Sequence, residues 1–374
     1  MCRKFAEKKG YQLGERPSDK PYIKLNANES PFPPAPSVIS AVSEARLLEQ
    51  NLYADPKNTE FVQSVSEYYS LPPERILADN GSDILISYCL LAYGSEKPGF
   101  YFPDVSYNFY RTFSDTFDIE YHTVPVGDDF SVNVSDYRGC GHAVLLANPN
   151  APSGLILSPQ QVEEIVRTNR DHVVVIDEAY VDFDNPTCIP LTFKYDNLIV
   201  IHTLSKSYSL AGARLGFLVS SPEIIRDLSM LRASFNPDSI SSLSQATGCA
   251  AMRGGDYMRS CVKKIIRTRQ KTSGELKKRG FSVLESHTNF IFVKPPMSAE
   301  LFYRKMKEDG VLLRYFNQPR IRNFVRISIG TDEQMDEVLR RIDRVLAAEK
   351  PECAGPGREG GFFIAAPAGC SPRF

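Results

Sequence analysis

The stretch His202-Thr-Leu-Ser-Lys-Ser-Tyr-Ser-Leu-Ala-Gly-Ala-Arg-Leu-Gly216 decides the fold class and introduces the chemistry. It joins two short apolar runs through a loop of small residues, as a strand-loop-strand unit does. Lys206 follows a buried strand, and partial burial favours the uncharged amine that Schiff-base chemistry requires. Ser205 and Arg214 in the same loop could bind a phosphate dianion. A plain surface lysine after a strand is the alternative.

Short apolar runs continue this pattern on both sides of the stretch. Five predicted strands cover residues 99–102, 143–147, 172–176, 198–202 and 216–219. Residues 158–169, between the second and third strands, show the apolar spacing of a helix. Buried strands that alternate with helices predict an α/β fold, with a mostly parallel sheet flanked by helices. We expect this large domain to span residues 37–240.

After Pro222 the apolar spacing becomes mainly helical, with a few short strands between the helices. Two predicted helices cover 256–278 and 298–308, and an apolar stripe from Met335 to Val345 predicts a last helix. Predicted strands cover 282–285, 289–293, 311–314 and 324–329. This pattern predicts a smaller α+β domain made of residues 241–347 together with 1–36. Residues 348–374 are rich in Gly, Pro and Ala, and predict a disordered tail.

The composition narrows the possible partners and the compartment. The 374 residues carry 44 basic and 45 acidic side chains, so their net charge of −1 argues against nucleic-acid and anionic-membrane partners. The longest apolar stretch, 84–93, is far too short to span a membrane. The eight cysteines are scattered without a Cys-x-x-Cys pair, which predicts reduced thiols, no metal site and a cytoplasmic protein.

The run Val173-Val-Val-Ile-Asp-Glu-Ala-Tyr180 is the second chemical signal. Asp177 ends a predicted parallel strand, where α/β sheets bind their ligands, and a protonated pyridine nitrogen would balance its charge there. An ATPase Walker B strand has the same form. That alternative requires a phosphate-binding Gly-x-x-x-x-Gly-Lys-[Ser/Thr] loop, which the sequence lacks.

Three further fragments gain meaning from their order along the chain. Gly81-Ser82-Asp83 precedes a helix, whose first N–H groups can bind an anion, although Ser and Asp are also ordinary N-caps. The turn 148–154, with the sequence Asn-Pro-Asn-Ala-Pro-Ser-Gly, follows a strand and could hold a polar side chain against a ligand. Arg326 lies in an apolar strand, where it demands an anionic partner.

Taken in this order, the fragments resemble the fold-type I aminotransferases, which use pyridoxal 5'-phosphate. The resemblance covers about residues 11–345. Lys206 would form the aldimine with the cofactor and then move the proton between the substrate carbon and the cofactor. Asp177 would keep the pyridine nitrogen protonated, and Tyr180 would donate a hydrogen bond to the 3-oxygen of the ring.

The resemblance also implies how the rest of the cofactor is held. Its phosphate would be bound by the residues of two loops: Ser82, Asp83, Ser205 and Arg214. Tyr107 resembles the aromatic residue that stacks on the pyridine ring. Tyr53 resembles a residue that the neighbouring subunit lends to the phosphate, which implies a homodimer with shared active sites.

The substrate end resembles the histidinol-phosphate branch of the family. Arg326 would pair with a substrate carboxylate or phosphate, and Arg314 resembles the additional phosphate-binding cation of that branch. Asn28 and Tyr11 belong to an N-terminal segment that covers the site in such enzymes. The family usually has Asn where this chain has Ala151, so we assign the ring contact to Asn150, with Asn148 as the alternative; Ser153 likewise stands in place of Thr.

The implied reaction converts L-histidinol phosphate and 2-oxoglutarate into imidazole acetol phosphate and L-glutamate, a ping-pong step of histidine biosynthesis. A threonine-phosphate decarboxylase or an aromatic amino-acid aminotransferase would share every cofactor residue. A non-catalytic ligand-sensing module on the same fold is a more distant alternative. Such regulators carry a basic DNA-binding domain, which the net charge of −1 disfavours.

Overall fold

The computed structural model describes Phe5, residues 8–11, 14–42, Leu47, 49–94 and 99–348. The disordered tail predicted for 348–374 therefore lies outside the described residues, apart from Ala348. Ten helices are described, and we number them in chain order: α1 Pro36–Ala41, α2 Thr59–Tyr69, α3 Ser82–Tyr93, α4 Phe109–Phe117, α5 Pro159–Thr168, α6 Pro222–Phe235, α7 Ser242–Arg253, α8 Gly255–Lys278, α9 Ala299–Glu308 and α10 Asp332–Ala348. None of these helices is long and apolar enough to cross a membrane.

A seven-stranded sheet forms the centre of the molecule. Its strands are β2 Ile76–Asp79, β3 Phe100–Pro103, β4 Tyr121–Val124, β5 Ala143–Ala147, β6 Val174–Asp177, β7 Leu198–Thr203 and β8 Gly216–Val219. They lie in the order β2-β8-β7-β6-β5-β3-β4. Strands β7, β6, β5, β3 and β4 pair in parallel, whereas β8 runs antiparallel to both of its neighbours. The prediction of a mostly parallel sheet is confirmed.

The reversed direction of β8 follows from the short connection that precedes it. Residues 204–215 join β7 to β8 and contain only a 3-10 turn at Ala211–Ala213, whereas a parallel return needs a longer crossover. Two strands of the seven-stranded sheet, β2 and β4, were not predicted from the sequence. In β4 the burial runs from partly buried through exposed to partly buried, because this strand is at the sheet edge, so its apolar signal is weak.

Both faces of the sheet are covered by apolar residues. Successive residues of β6 alternate between two clusters: Val174 and Ile176 pack in one, and Val175 in the other. Helix α5 shows how a helix joins such a layer. Ser158 Oγ accepts from Gln161 N at 3.3 Å while Gln161 Oε1 accepts from Ser158 N at 2.9 Å, so the helix start is capped on both sides.

The second half of the chain builds a smaller sheet beside the first. Strands β9 Ser282–Val283, β10 Phe290–Lys294, β12 Arg314–Tyr315 and β13 Val325–Ser328 form an antiparallel sheet in the order β12-β13-β10-β9. Strand β1 Ile23–Lys24 pairs in parallel with β11 Val311–Leu312, which joins the N-terminal segment to this half. Helix α7 packs against α1 and α2, and Gln245 Nε2 donates to Asp55 O at 3.1 Å. The domain boundaries, 37–240 against 1–36 with 241–347, stay predictions.

Candidate active site

A cavity of about 450 Å³ opens at the carboxyl ends of β5, β6 and β7, next to the small sheet. Because parallel strands end at the same edge of a sheet, side chains that are distant in sequence meet there. The cavity is lined by twelve of the residues that sequence analysis selected: Tyr11, Asn28, Ser82, Asp83, Tyr107, Asp177, Tyr180, Ser205, Lys206, Arg214, Arg314 and Arg326.

The loop that carries Lys206 is held by short-range hydrogen bonds where β7 ends. Thr203 Oγ1 donates to Ser205 Oγ at 3.0 Å and accepts from Ser205 N at 3.2 Å. Lys206 Nζ lies 5.9 Å from the centre of the Tyr180 ring. Asn28 Nδ2 donates to Tyr180 Oη at 2.8 Å, so the N-terminal segment contacts the same side of the cavity. The amine of Lys206 and the phenol of Tyr180 therefore face the same cavity.

Asp177 is almost fully buried at the base of the cavity. Burial raises the pKa of its carboxyl to about 6, although hydrogen bonds from Tyr110 and from the Ala179 amide, and the charge of Lys206, act to lower it. Tyr110 Oη donates to Asp177 Oδ2 at 2.7 Å, and Ala179 N donates to Oδ1 at 3.1 Å. Both hydrogen-bond donors of this buried carboxylate are neutral, so a cation bound next to it would be stabilised.

Tyr110 is the main site residue that sequence reasoning missed. It lies on α4, is fully buried, and stands three residues after Tyr107. A buried tyrosine on a helix is usually a core residue, so its type alone gave no signal. Tyr107 precedes this helix, and the Tyr110 amide donates to Tyr107 O at 3.2 Å, so the turn before α4 brings the two tyrosines together.

The raised pKa of Asp177 leads to a measurable effect on the cofactor-free protein. The pKa of Asp177 is higher in the folded chain than in the unfolded chain. The folded state therefore loses stability as the pH rises between these two pKa values, here from about 4 to about 6. Two pH units correspond to about 3 kcal/mol. We therefore expect Asp177→Asn to raise the free energy of unfolding of the cofactor-free protein at pH 7.5 by about 2 to 3 kcal/mol, and to have little effect near pH 4.

Urea denaturation of the cofactor-free protein at the two pH values measures this difference. The exposed Asp256→Asn variant is the matched control, because its carboxylate lies at the surface. A destabilised Asp177→Asn protein at pH 7.5 would contradict the expected sign.

Arg214 forms the cationic wall at one end of the cavity. Its Nη1 donates to Ser205 Oγ and its Nη2 to Asp83 Oδ2, both at 3.4 Å. Gly81 approaches it so closely that a Cβ there would lie 2.6 Å from Arg214 Nη2, and Gly81 has φ +87. Only glycine suits this position without strain. The loop before α3 and the loop after β7 are thus packed against each other.

This end of the cavity fits the phosphate of pyridoxal 5'-phosphate. Helix α3 begins after Gly81 with no side-chain cap, so the backbone N–H groups of its first turn remain available to an anion. The hydroxyl of Ser205 and the guanidinium of Arg214 lie beside it. Asp177, at the other end, fits a protonated pyridine nitrogen because the buried carboxylate needs a cation. The donor set therefore suits the cofactor that sequence analysis implied.

Aromatic rings cover the middle of the cavity. The Tyr107 ring centre lies 5.8 Å from that of Tyr11 in an edge contact, and Tyr107 Oη donates to Asp83 Oδ1 at 3.1 Å. Burial raises the pKa of the Tyr107 phenol well above its usual value, and the negative charge of Asp83 raises it further. The phenol therefore stays protonated and keeps its donor role.

Arg314 and Arg326 form a second cationic wall, on the small sheet. They are direct partners in the antiparallel pair β12–β13, so their side chains project from one face. Arg326 Nη2 donates to Asn26 O at 3.2 Å, whereas its Nε has no acceptor among the described residues. Burial lowers the pKa of Arg326, and the charge of Arg314 acts in the same direction. Two adjacent guanidinium groups repel each other, so an anion bound between them would be stabilised.

A second cavity of about 380 Å³ continues from this wall. It shares Tyr11, Tyr107 and the two arginines with the first cavity, and it extends towards Glu15 and Tyr303. Tyr303 Oη donates to Glu15 Oε1 at 2.6 Å. Together the two cavities offer room for a cofactor and for a second molecule next to it.

Two predicted site residues are not brought into the cavity. Both polar atoms of the Asn150 amide already have partners in the turn and in the loop after β3: Oδ1 accepts from Ser106 Oγ at 2.8 Å, and Nδ2 donates to Val105 O at 3.0 Å and to Ser153 Oγ at 3.1 Å. Asn148 is used in the same way, through Leu157. Asn150 therefore keeps the turn in shape and does not line the cavity. Tyr53 lies on the surface with 89% of it exposed.

A family model described as aminotransferase class I and II matches residues 20–342. The chain belongs to the class I and II aminotransferases. The predictions of an aminotransferase, of its fold class and of pyridoxal 5'-phosphate as its cofactor are thereby confirmed.

Named relatives of this aminotransferase include the histidinol-phosphate aminotransferase of Brachyspira hyodysenteriae. The two are 42% identical over 90% of this chain and 96% of the relative. The histidinol-phosphate aminotransferase of Clostridium acetobutylicum is 37% identical, again over 90% and 96% of the two chains. Among solved structures, the Sinorhizobium meliloti histidinol-phosphate aminotransferase in complex with pyridoxal-5'-phosphate has a TM-score of 0.81 at 26% identity, over 88% of this chain and 92% of that one.

Proposed function

We propose that this aminotransferase transfers the amino group of L-histidinol phosphate to 2-oxoglutarate, forming imidazole acetol phosphate and L-glutamate in histidine biosynthesis. The observation that carries the proposal is the pair Arg314 and Arg326 in the cavity wall, where Arg326 Nε has no acceptor among the described residues. Two guanidinium groups suit a phosphate dianion, which offers three acceptor oxygens. The names of the curated relatives support the same amino donor.

We propose Lys206 as the residue that moves the proton and Asp177 as the partner of the ring nitrogen. When bound, pyridoxal phosphate supplies an aldehyde that takes up the amino group and a ring that accepts electrons. The amine of Lys206 faces the same space as Tyr180, so it can take a proton from the substrate carbon and return one to the cofactor side. Asp177 holds a proton at the ring nitrogen, which its burial and negative charge favour.

The remaining residues bind and orient. Arg214, Ser205 and the start of α3, at Ser82 and Asp83, hold the cofactor phosphate. Tyr180, itself held by Asn28, donates to the ring oxygen. Tyr107 stacks on the ring.

Arg326 serves both halves of a ping-pong cycle. In the first half it pairs with the phosphate of the amino donor, with help from Arg314. In the second it pairs with the α-carboxylate of 2-oxoglutarate or glutamate, since one guanidinium can bind a carboxylate or a phosphate in the same bidentate way. Tyr11, which covers this end of the cavity, excludes water.

We also propose that two chains associate as a homodimer, with Tyr53 reaching the neighbouring site. Tyr53 is 89% exposed, and its neighbour Leu52 is 65% exposed. Ile39 and Val42, nearby in the sequence, are exposed as well, and exposed apolar side chains of this kind suit a protein interface. A monomer in sedimentation experiments would contradict this proposal.

The buried thiols of Cys89 and Cys188, which form no disulfide, suit the proposed cytoplasmic location.

An amino-donor screen tests the proposed reaction. The purified holoenzyme is given 2-oxoglutarate with L-histidinol phosphate, phenylalanine, tyrosine or threonine phosphate, and glutamate and CO2 are followed. We expect glutamate to form with histidinol phosphate at a kcat/KM at least about 100-fold above that of phenylalanine or tyrosine, because lost phosphate contacts cost several kcal/mol. Release of CO2 from threonine phosphate without glutamate would identify a decarboxylase and contradict the proposal.

A further inference from the structure

A buried group of titratable residues lies directly behind Lys206, on the opposite side of the chain from the cavity. Glu178 and His202 are both almost fully buried, and Glu178 Oε2 lies 2.7 Å from His202 Nε2. Asp182 accepts a hydrogen bond from Ser207 Oγ a short distance away. None of these four residues lines the cavity described above.

The hydrogen between Glu178 and His202 can be placed from the other contacts. Thr187 Oγ1 donates to Glu178 Oε2 at 2.6 Å, and the Cys188 amide donates to Oε1 at 2.6 Å. Both carboxylate oxygens already accept, so the shared hydrogen belongs to His202 Nε2. On the far side of the ring, Nδ1 lies 3.3 Å from Tyr69 Oη. His202 is thus held at both nitrogens.

Glu178 and His202 lie at the carboxyl ends of two neighbouring strands, β6 and β7. Glu178 directly follows Asp177, where β6 ends, and His202 lies four residues before Lys206, on β7. In β6 the side chains alternate, so Asp177 faces the cavity while Glu178 faces the other side of the sheet. The main-chain pairing of these strands ends with Glu178 N donating to Ile201 O at 2.8 Å. Beyond it, the Glu178–His202 pair continues the connection through side chains.

A second connection lies on the far side of Lys206. Ser207, the next residue, donates to Asp182, two residues beyond Tyr180. Burial raises the pKa of Asp182, and the charge of His202 acts to lower it. The segment 177–182 therefore contains residues that line the cavity, Asp177 and Tyr180 among them, and two residues, Glu178 and Asp182, that bond to the segment 202–207.

We propose that Glu178 and His202 are positioning residues, which fix the Lys206 amine relative to Asp177 and Tyr180. Asp182 and Ser207 contribute to the same positioning through the hydrogen bond between them. The inference rests on the role proposed above for Lys206. Proton transfer requires the amine to stay within a few tenths of an ångström of its place, and two loops would otherwise be free to shift independently. The bonds Glu178–His202 and Ser207–Asp182 connect the segment that carries Asp177 and Tyr180 to the segment that carries Lys206.

The test compares two substitutions of His202 in the holoenzyme. His202→Leu removes both hydrogen bonds, whereas in His202→Gln the amide nitrogen can still donate to Glu178. We expect His202→Leu to lower kcat for histidinol phosphate by about 100-fold with KM nearly unchanged, since a small misplacement of a reacting group has an effect of that size. We expect the pH midpoint of the visible absorption of the bound cofactor to move by about one unit. His202→Gln should restore most of both properties.

Ser220→Ala is the matched control for general loosening. Ser220 is fully buried next to the same strand, and its Oγ donates to Leu198 O at 2.7 Å, at the opposite end of β7 from the site. We expect this variant to lower Tm but to leave kcat and the spectral midpoint unchanged. An equal loss of kcat in Ser220→Ala and His202→Leu would overturn the proposal, as would a His202→Leu enzyme with the kcat and midpoint of the parent.

Ser207→Ala keeps the test decisive should His202→Leu fail to fold. It removes one oxygen atom and breaks only the bond to Asp182. We expect a fall in kcat of about tenfold and a midpoint shift in the same direction; unchanged values overturn the proposal. A parent protein without a visible cofactor band that depends on Lys206 would instead contradict the proposed function, so the two failures are distinguishable.

Discussion

Replacing Lys206 by alanine is expected to lower kcat by at least about 10⁴-fold, because one amine both holds the cofactor and moves the proton. The visible absorption of the holoenzyme should disappear in the same variant, since that band depends on the bond between lysine and cofactor. The folded structure should persist. Lys206 forms no ion pair with any residue that the structure describes, and alanine fills the space of its Cβ without a clash. Absorption spectra and steady-state rates with histidinol phosphate measure both effects.

Lys194→Ala is the matched control for this experiment. Lys194 is exposed and pairs with Glu163 at the surface, so its loss should change neither the spectrum nor the rate. A Lys206→Ala enzyme with full activity would show that the mechanism proposed for this cavity is wrong.

Replacing Arg326 by glutamine is expected to have the second-largest effect. Arg326 is the cation that both substrates of the ping-pong cycle would contact, and its Nε has no acceptor among the described residues. Loss of one partner of a desolvated charge pair costs about 2 to 5 kcal/mol. We therefore expect kcat/KM to fall by about 10² to 10³-fold for histidinol phosphate and by a similar factor for glutamate.

Arg314→Gln separates the roles of the two arginines. If Arg314 contacts only the phosphate, its loss should lower kcat/KM for histidinol phosphate by about tenfold and leave the value for glutamate nearly unchanged. Initial rates of each half-reaction, followed through the cofactor absorption, measure the two substrates separately. An Arg326→Gln enzyme with normal values for both substrates would exclude Arg326 from substrate binding.

The large sheet could be predicted from the sequence because its central strands are continuous apolar runs. All residues of β7 are buried, for instance, and the predicted and observed spans differ by one residue. The edge strand β4 could not be found in this way, because its two central residues, His122 and Thr123, are exposed and polar. The direction of β8 could not be read either, since it depends on the length and path of a loop that has no helical pattern.

The site shows a similar division between motif and surroundings. Residues within compact motifs, such as Asp177, Tyr180 and Lys206, line one cavity as the sequence predicted. Asn150 belongs to a motif as well, but its amide bonds to Val105 and to Ser153, which only the three-dimensional structure reveals. Tyr110 lies outside every motif. Its importance comes from one contact with Asp177, which no pattern of residue types encodes.

The pairing of β1 with β11 has a consequence for how the enzyme is made. Asn28 near the beginning of the chain donates its backbone N–H to Ser328 Oγ at 2.9 Å and its amide to Tyr180, and Asn289 Nδ2 donates to Asn28 O. The ribosome must therefore synthesise the chain as far as Ser328 before Asn28 can find all of these partners. Nascent chains could fold the central sheet early, yet they would lack a complete active site until that point.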